Sequence, residues 1–279
     1  MNYHQVSKIT LSPDVVDGIV FWTKNPVPMI ERLDTFSDYM YYFQFTVNAY
    51  GKDIEGNVPS KNDVIIPAFR KLSDIIGPER VIWRYDPILL TDKYSKEYHL
   101  NYFEALAKRL SGYTEKCVIS FVDLYRNTTS HMKPHVLIPF SMDDMLFMAE
   151  RISEIGKKHN IRIESCAEGT DLESAGVPHG ACIDKSLFER LLGCTLASGK
   201  DKNQRPECLC TESIDVGLYD TCKNGCRYCY ANHTDKMMAR NLALYDPKSP
   251  LLCGRIEEGD IIRERAVKSL KTQKTLTFL

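Results

Sequence analysis

No stretch of the chain is apolar for anything near the roughly 20 residues that a membrane-crossing helix needs. The opening residues, MNYHQVSKITLSPDVV, lack the basic-then-apolar layout of a secretory signal. An excess of charge of one sign is missing too. The chain carries 36 basic against 37 acidic side chains, a formal net charge of −1, with no basic run that stands out. A broad nucleic-acid or anionic-membrane surface is therefore not expected. Histidines at ligand spacing are scarce, His131 and His135 in a proline-bearing loop being the one pair, and without a helix they are weak metal ligands. These absences point to a cytoplasmic protein with no membrane partner.

What is present suits one large globular domain, or a barrel with a small appendage: 279 residues, 43% hydrophobic and 26% charged. Cysteine is plentiful, with ten at positions 117, 166, 182, 194, 208, 210, 222, 226, 229 and 253. In a reducing compartment, clustered thiols are metal ligands or redox groups more often than disulfides.

Over the first two hundred residues, short apolar runs alternate with helical patterns. DGIVFW (17–22), YYFQFTVN (41–48), RVIWRY (80–85), CVISFV (117–122) and IRIESC (161–166) read as strands, several apolar on both faces as in parallel sheets. Between them, PAFRKLSDIIG places Phe69, Leu72, Ile75 and Ile76 together, and SKEYHLNYFEALAKRLSGY places Phe103, Leu106, Ala107 and Leu110 on one face. SMDDMLFMAERISEIGKKHN opens with Ser141 and Asp144 at capping-box spacing, and its Met145, Ala149, Ile152 and Ile155 form a stripe that reads as core. SIDVGLY (213–219) reads as a sixth strand. The alternation predicts an α/β fold: a partial or closed (β/α) TIM-like barrel, or else an open doubly wound sheet. Residues 1–200 would form the barrel body and 201–279 a cysteine-bearing segment completing the same domain.

In such folds function gathers at the C-terminal ends of strands. Those ends here carry Trp22-Thr23-Lys24-Asn25-Pro26, Asn48-Ala49-Tyr50-Gly51, Arg84-Tyr85-Asp86-Pro87, Asp123-Leu124-Tyr125-Arg126 and Glu164-Ser165-Cys166-Ala167-Glu168. Taken singly, each charge reads as a solvated loop residue or a helix cap. Converging on one rim, Lys24, Arg84, Asp86 and Asp123 become candidate catalytic residues.

From residue 201 the character changes. Five cysteines fall within 22 residues, as Cys208-x-Cys210 and Cys222-x3-Cys226-x2-Cys229. Buried free thiols are one reading, but Lys, Asn, Gly and Arg neighbours argue against an apolar core. Structural zinc is a second, since four thiolates close a tetrahedral site and Cys226-x2-Cys229 is a normal zinc half-site. An iron–sulfur cluster is the third. If Cys222, Cys226 and Cys229 alone bind it, one iron keeps an open position for chemistry; Cys208 or Cys210 as fourth ligand would close it. Cys182, Cys208 and Cys210 are further metal candidates, together or as a second, auxiliary cluster. Cys117, Cys194 and Cys253 read as packing residues, and Cys166 as a weaker ligand candidate.

C-x3-C-x-aromatic-C, with Tyr228 as the aromatic, resembles the cluster loop of the radical S-adenosylmethionine (SAM) enzymes. With WTKNP, FQFT, WRYDPI, SFVDLY, ACIDK and KDKNQR, nearly the whole chain resembles an uncharacterised bacterial family, a domain of unknown function with a radical-SAM-like cysteine cluster at its C-terminal end. The resemblance implies a [4Fe-4S] cluster on Cys222, Cys226 and Cys229, SAM on the fourth iron, and Tyr228 against the adenine. Reductive SAM cleavage would then lead to hydrogen abstraction from an unidentified substrate, with flavodoxin or ferredoxin as electron donor. The cluster loop would follow the last strand, permuted relative to typical members. The Gly-Gly-Glu-like segment that binds the SAM amino group in many members is missing, and Glu164, Glu168, Gln44 and Asn48 are its candidate substitutes. Relatives open with an additional strand bearing an Arg-Thr-Asp stretch; if the start is truncated, one barrel element and a functional arginine are missing.

Overall fold

The computed structural model describes residues 5–123 and 126–272. All five expected strands form. They are β2 (Ile19–Thr23), β3 (Tyr41–Thr46), β4 (Val81–Ile88), β5 (Lys116–Phe121) and β6 (Arg162–Ser165), following a short β1 (Gln5–Ile9). The five pair in chain order, β2-β3-β4-β5-β6, and every pairing is parallel. Helices α2 (Ile66–Ile76), α3 (Lys96–Leu110) and α5 (Met142–Lys158) fill the crossovers after β3, β4 and β5. Shorter helices α1 (Val27–Ile30) and α4 (Arg126–His131) follow β2 and β5, the latter within the same crossover as α5.

Strand alternation divides the sheet into two unlike faces. Phe43, Phe45, Trp83, Tyr85, Cys117, Ile119 and Ile163 point to one side and pack with Phe69, Leu72, Phe103, Leu106, Met148 and Ile152 of the crossover helices. Trp83 stacks on Phe103 at 4.6 Å, and its indole N–H finds the Val47 carbonyl at 2.9 Å, so the largest core ring leaves no buried donor unpaired. Ser141 begins α5 with the expected reciprocal capping box to Asp144. Ile75 departs from the expected stripe. It faces solvent at 53% exposure while Phe69, Leu72 and Ile76 are buried, because the sheet covers only one side of α2 and Ile75 falls a quarter-turn outside it.

The opposite face is covered differently. Tyr42, Ile82 and Val118 pack with Leu187 and Phe188 of α6 (Lys185–Leu192) and Leu196 of β7 (Thr195–Leu196). At Gly18 the Phe188 ring lies so near that a Cβ would come within 2.1 Å of it, so only glycine fits. After β6 the chain doubles back across this face. Ser165 bridges His179, and the Cys182 carbonyl then accepts from Tyr42 Oη at 2.5 Å and Gln44 Nε2 at 2.8 Å. Asp184, which caps α6, is fixed by Lys116 at 3.0 Å.

Among the described residues β2 and β6 do not pair with one another, and the sheet is open. The sixth strand expected at 213–219 does not form. That stretch is irregular, and Val216, Leu218 and Tyr219 stay about half exposed. Farther on, α7 (Asp235–Ala243) is followed by β8 (Ile261–Arg265), which runs parallel to β1, and β9 (Lys271–Thr272), antiparallel to β7. No helix among the described residues is long and apolar enough to cross a membrane.

Candidate functional site

The ends of β3, β4 and β5 meet in part, through Asn48, Asp86 and Ser120. Arg84 and Gln44 lie on the sheet face that α6 and the crossing segment cover, and both are buried. Arg84 Nε donates to Asp86 Oδ2 at 2.9 Å, with Nη2 making a second bond to the same oxygen, and Ser120 Oγ donates to Asp86 Oδ1. Burial alone would raise the Asp86 pKa; the Arg84 guanidinium and these hydrogen bonds outweigh it and hold the carboxyl below its ordinary value. Asn48 ties the next layer down, its Oδ1 accepting from Asp86 N and its Nδ2 donating to Asp86 O, both at 2.8 Å.

Above this layer sits a buried acid that the sequence did not single out. Glu55, 2% exposed in the loop between β3 and α2, is paired with Lys24 at 2.9 Å and Lys61 at 3.2 Å. Burial pushes its carboxyl up, but the two ammonium groups prevail and its pKa lies below the usual value. Lys24, its side chain 14% exposed, stays protonated because Glu55 offsets its desolvation.

The cysteine loop docks directly on this group. Tyr228 Oη donates to Glu55 Oε1 and receives Asn48 Nδ2 at 3.1 Å, while Lys24 Nζ lies 5.3 Å from the ring centroid. Tyr50 packs 5.7 Å away, and Thr128 of α4 reaches the Tyr228 carbonyl at 3.3 Å. Backbone bonds sew the loop to the β3–α2 connection: Arg227 N to Ile54 O at 2.9 Å, Asn57 N to Asn224 O at 3.0 Å, and a bridge between Glu55 and Cys226. Gly225 turns the chain at φ +63°, beside Asn57, where a side chain would be strained. Burial pushes the Cys226 thiol up to about 12 against the pull of Lys24, and raises Cys229 as well.

Other candidates land elsewhere. Cys182, Cys208 and Cys210 pack with Cys166 rather than with the loop. Gln44 lies deeper, bonded to the Cys182 carbonyl. Glu164 is ion-paired with Lys116 at 2.9 Å and Arg162 at 2.8 Å, near the opposite ends of the strands. Asp123 is exposed and paired with Arg205. Leu124 and Tyr125 lie outside the described residues. His131 contacts the His233 carbonyl at 3.0 Å.

Among the described residues, no group of three or more His, Cys, Asp or Glu side chains stands ready around a common metal position. The chemistry of the donors nevertheless fits a thiophilic group. Cys222, Cys226 and Cys229 occupy one loop at close spacing, near enough that Cys222 raises the pKa of both others.

The family model described as a domain of unknown function (DUF1848) matches residues 1–231. The chain belongs to the DUF1848 family. No curated protein matches it. A sugar phosphate isomerase/epimerase structure from Parabacteroides distasonis ATCC 8503 is similar at 18% identity and a TM-score of 0.31, over 53% of this chain. The chain spans about half the length of that protein, 50%.

In this DUF1848 protein one acid stands apart. Glu168 accepts from the Phe121 amide at 2.8 Å, yet burial pushes its pKa up to about 7, with Asp123 and Asp86 adding to the shift. A carboxyl raised in the fold favours its neutral form. Its stabilising contribution is full below the ordinary value near 4.5 and is lost as pH rises through about 7. Glu168→Gln keeps the acceptor and removes the titration. Relative to the wild type, the variant should gain on the order of 2 kcal/mol between pH 5 and pH 8, measured by urea denaturation at both pH values. A constant difference would assign the effect to packing.

Proposed function

We propose that Cys222, Cys226 and Cys229 hold a [4Fe-4S] cluster, with SAM bound beside it, and that the protein carries out radical SAM-type chemistry on an unidentified substrate at the strand ends. The observation that carries this reading is Tyr228. The aromatic residue between two of the thiols is partly buried and contacts Glu55, Asn48 and Tyr50, which supports a cysteine loop seated beside the strand-end polar groups. When bound, a cluster held by Cys222, Cys226 and Cys229 would supply the electron for reductive cleavage of SAM, and with it the capacity for hydrogen abstraction from substrate.

The chain's own residues supply position and exclusion of water. Lys24, Glu55 and Lys61 form a fixed charge group beneath Tyr228, so the loop rests on a buried ion triad rather than on solvent. Asn48 links Tyr228 to the backbone of Asp86, coupling the loop to the Arg84–Asp86–Ser120 layer that would face substrate. Of the substitutes for the missing SAM-amine segment, Asn48 is the one already in contact with the cysteine loop. In this reading the five-stranded sheet is the wall of a partial barrel and the segment from residue 201 completes the same domain. A flavodoxin or ferredoxin would supply the electron.

Anaerobic reconstitution with iron and sulfide, followed by reduction in the presence of SAM, tests the proposal. Methionine and 5′-deoxyadenosine should accumulate with the wild type and fall to background with Cys226→Ser. Stoichiometric zinc on these thiols, with no SAM cleavage under reducing conditions, would overturn it.

A further inference from the structure

Cys166, Cys182, Cys208 and Cys210 form a cluster of their own. Three chain segments deliver them. Cys166 follows β6, Cys182 lies where the chain crosses the sheet, and Cys208 and Cys210 come from the loop after β7. The Cys166 and Cys182 sulfurs are 2.9 Å apart, and Cys208 and Cys210 belong to the same buried cluster. Cys182, Cys208 and Cys210 are each only 6% exposed.

Apolar packing does not explain this gathering. Cys117 shows what a packing thiol looks like here, lying among aromatic and aliphatic side chains of the main core. The four thiols group with one another, with Ala167 and Ile183 beside them, and Cys166 alone also touches the apolar cluster of Tyr42, Ile82 and Val118. Polar donors are aimed at them instead. Arg84 Nη1 lies 2.7 Å from Cys182 Sγ, and the Ile183 amide donates to Cys210 Sγ at 3.3 Å. Such donors around sulfur favour thiolates and tune metal-bound thiolate.

We propose that Cys166, Cys182, Cys208 and Cys210 form a closed four-thiolate metal centre, separate from the loop of Cys222, Cys226 and Cys229. Four buried sulfur donors select a thiophilic occupant, either a single zinc-like ion or an iron–sulfur cluster. The Cys166 and Cys182 sulfurs, 2.9 Å apart, stand closer together than ligands of a shared ion. Tetrahedral zinc with Zn–S bonds of about 2.3 Å keeps its sulfurs ~3.8 Å apart. Uptake therefore spreads the sulfurs and releases their protons. The Arg84 guanidinium offsets part of the negative charge that remains. With all four positions taken by protein, the centre has no open site for substrate. Its work is to fasten the crossing segment, whose Cys182 carbonyl is already held by Tyr42 and Gln44, to the two cysteine-bearing loops.

The centre does not depend on the SAM reading, and the test separates them. Cys222, Cys226 and Cys229 are all replaced by serine, and metal is measured by mass spectrometry after anaerobic purification, after Co2+ addition, and after iron and sulfide addition. One zinc or cobalt ion per chain, with intense thiolate-to-cobalt absorption, supports the centre with a single ion. Iron with matching sulfide supports it with a cluster. Adding Cys182→Ser should lower the retained metal at least tenfold. A readout free of substitution is alkylation of the native wild type, in which these four thiols should react only after chelation. A folded triple-serine variant that holds no metal under any condition overturns the proposal, as does a Cys166–Cys182 disulfide in the purified wild type.

Discussion

Glu55→Ala should destabilise the protein by roughly 3–5 kcal/mol, the cost of leaving a buried ion partner uncompensated. Lys24 and Lys61, with side chains only 14% and 13% exposed, both lose their counter-charge, and Tyr228 Oη loses its acceptor. Urea denaturation at neutral pH should show a lower midpoint with little change in slope. A loss below about 1 kcal/mol would mean that water reaches the lysines and screens them. The carboxyl of Glu55 is held below its ordinary value, so its contribution is present above about pH 4.5 and fades as pH falls through the lowered value. The variant should therefore lack that acid limb. A second readout is local: native alkylation of Cys226 should quicken, because Tyr228 no longer pins the loop.

Arg84→Met should be comparably costly, again about 3–5 kcal/mol at neutral pH. The substitution keeps much of the stem volume but leaves Asp86 charged with Ser120 as its remaining side-chain partner, and removes the donor at Cys182. The sign of the pH dependence follows from Asp86. Its pKa is lowered by Arg84, so the pair stabilises the fold above the ordinary carboxylate value and ceases to as pH falls through the lowered one. Without the guanidinium, burial drives that pKa up, and the penalty should shrink toward pH 5 as the acid takes a proton. A penalty equal at pH 7.5 and pH 5 would assign the loss to packing and not to charge.

The strands of the main sheet are readable in sequence because burial on both faces makes them apolar almost throughout, as YYFQFT does in β3. SIDVGLY shows the limit of that logic. Its Ile, Val and Leu alternate as in a strand, but a strand also needs a partner, and among the described residues none pairs with it. Glu55 was invisible for another reason. GKDIEGN reads as a polar turn, and only the fold brings in Lys24 from 31 residues back and Tyr228 from 173 residues ahead. Tyr228 itself was legible, since its place beside the thiols marks it whatever surrounds it. The grouping of Cys166 with Cys182, Cys208 and Cys210 is hard to read because Cys166 stands alone in sequence. Its partners arrive through the doubling-back after β6, a path with no periodic signal.

The pairing of each strand with its neighbour in the chain has a consequence for the order of events during synthesis. A growing chain folds from its N-terminal side as it emerges, and every strand of this wall finds its partner among residues already made. Asn57, whose Nδ2 donates to the Lys223 carbonyl, is translated 166 residues before it. The seat is thus made before the part it receives, and the thiols of the loop emerge onto a surface already shaped for them. Under the proposed reading, metal loading at that loop would be a finishing step, performed on a scaffold that does not wait for it.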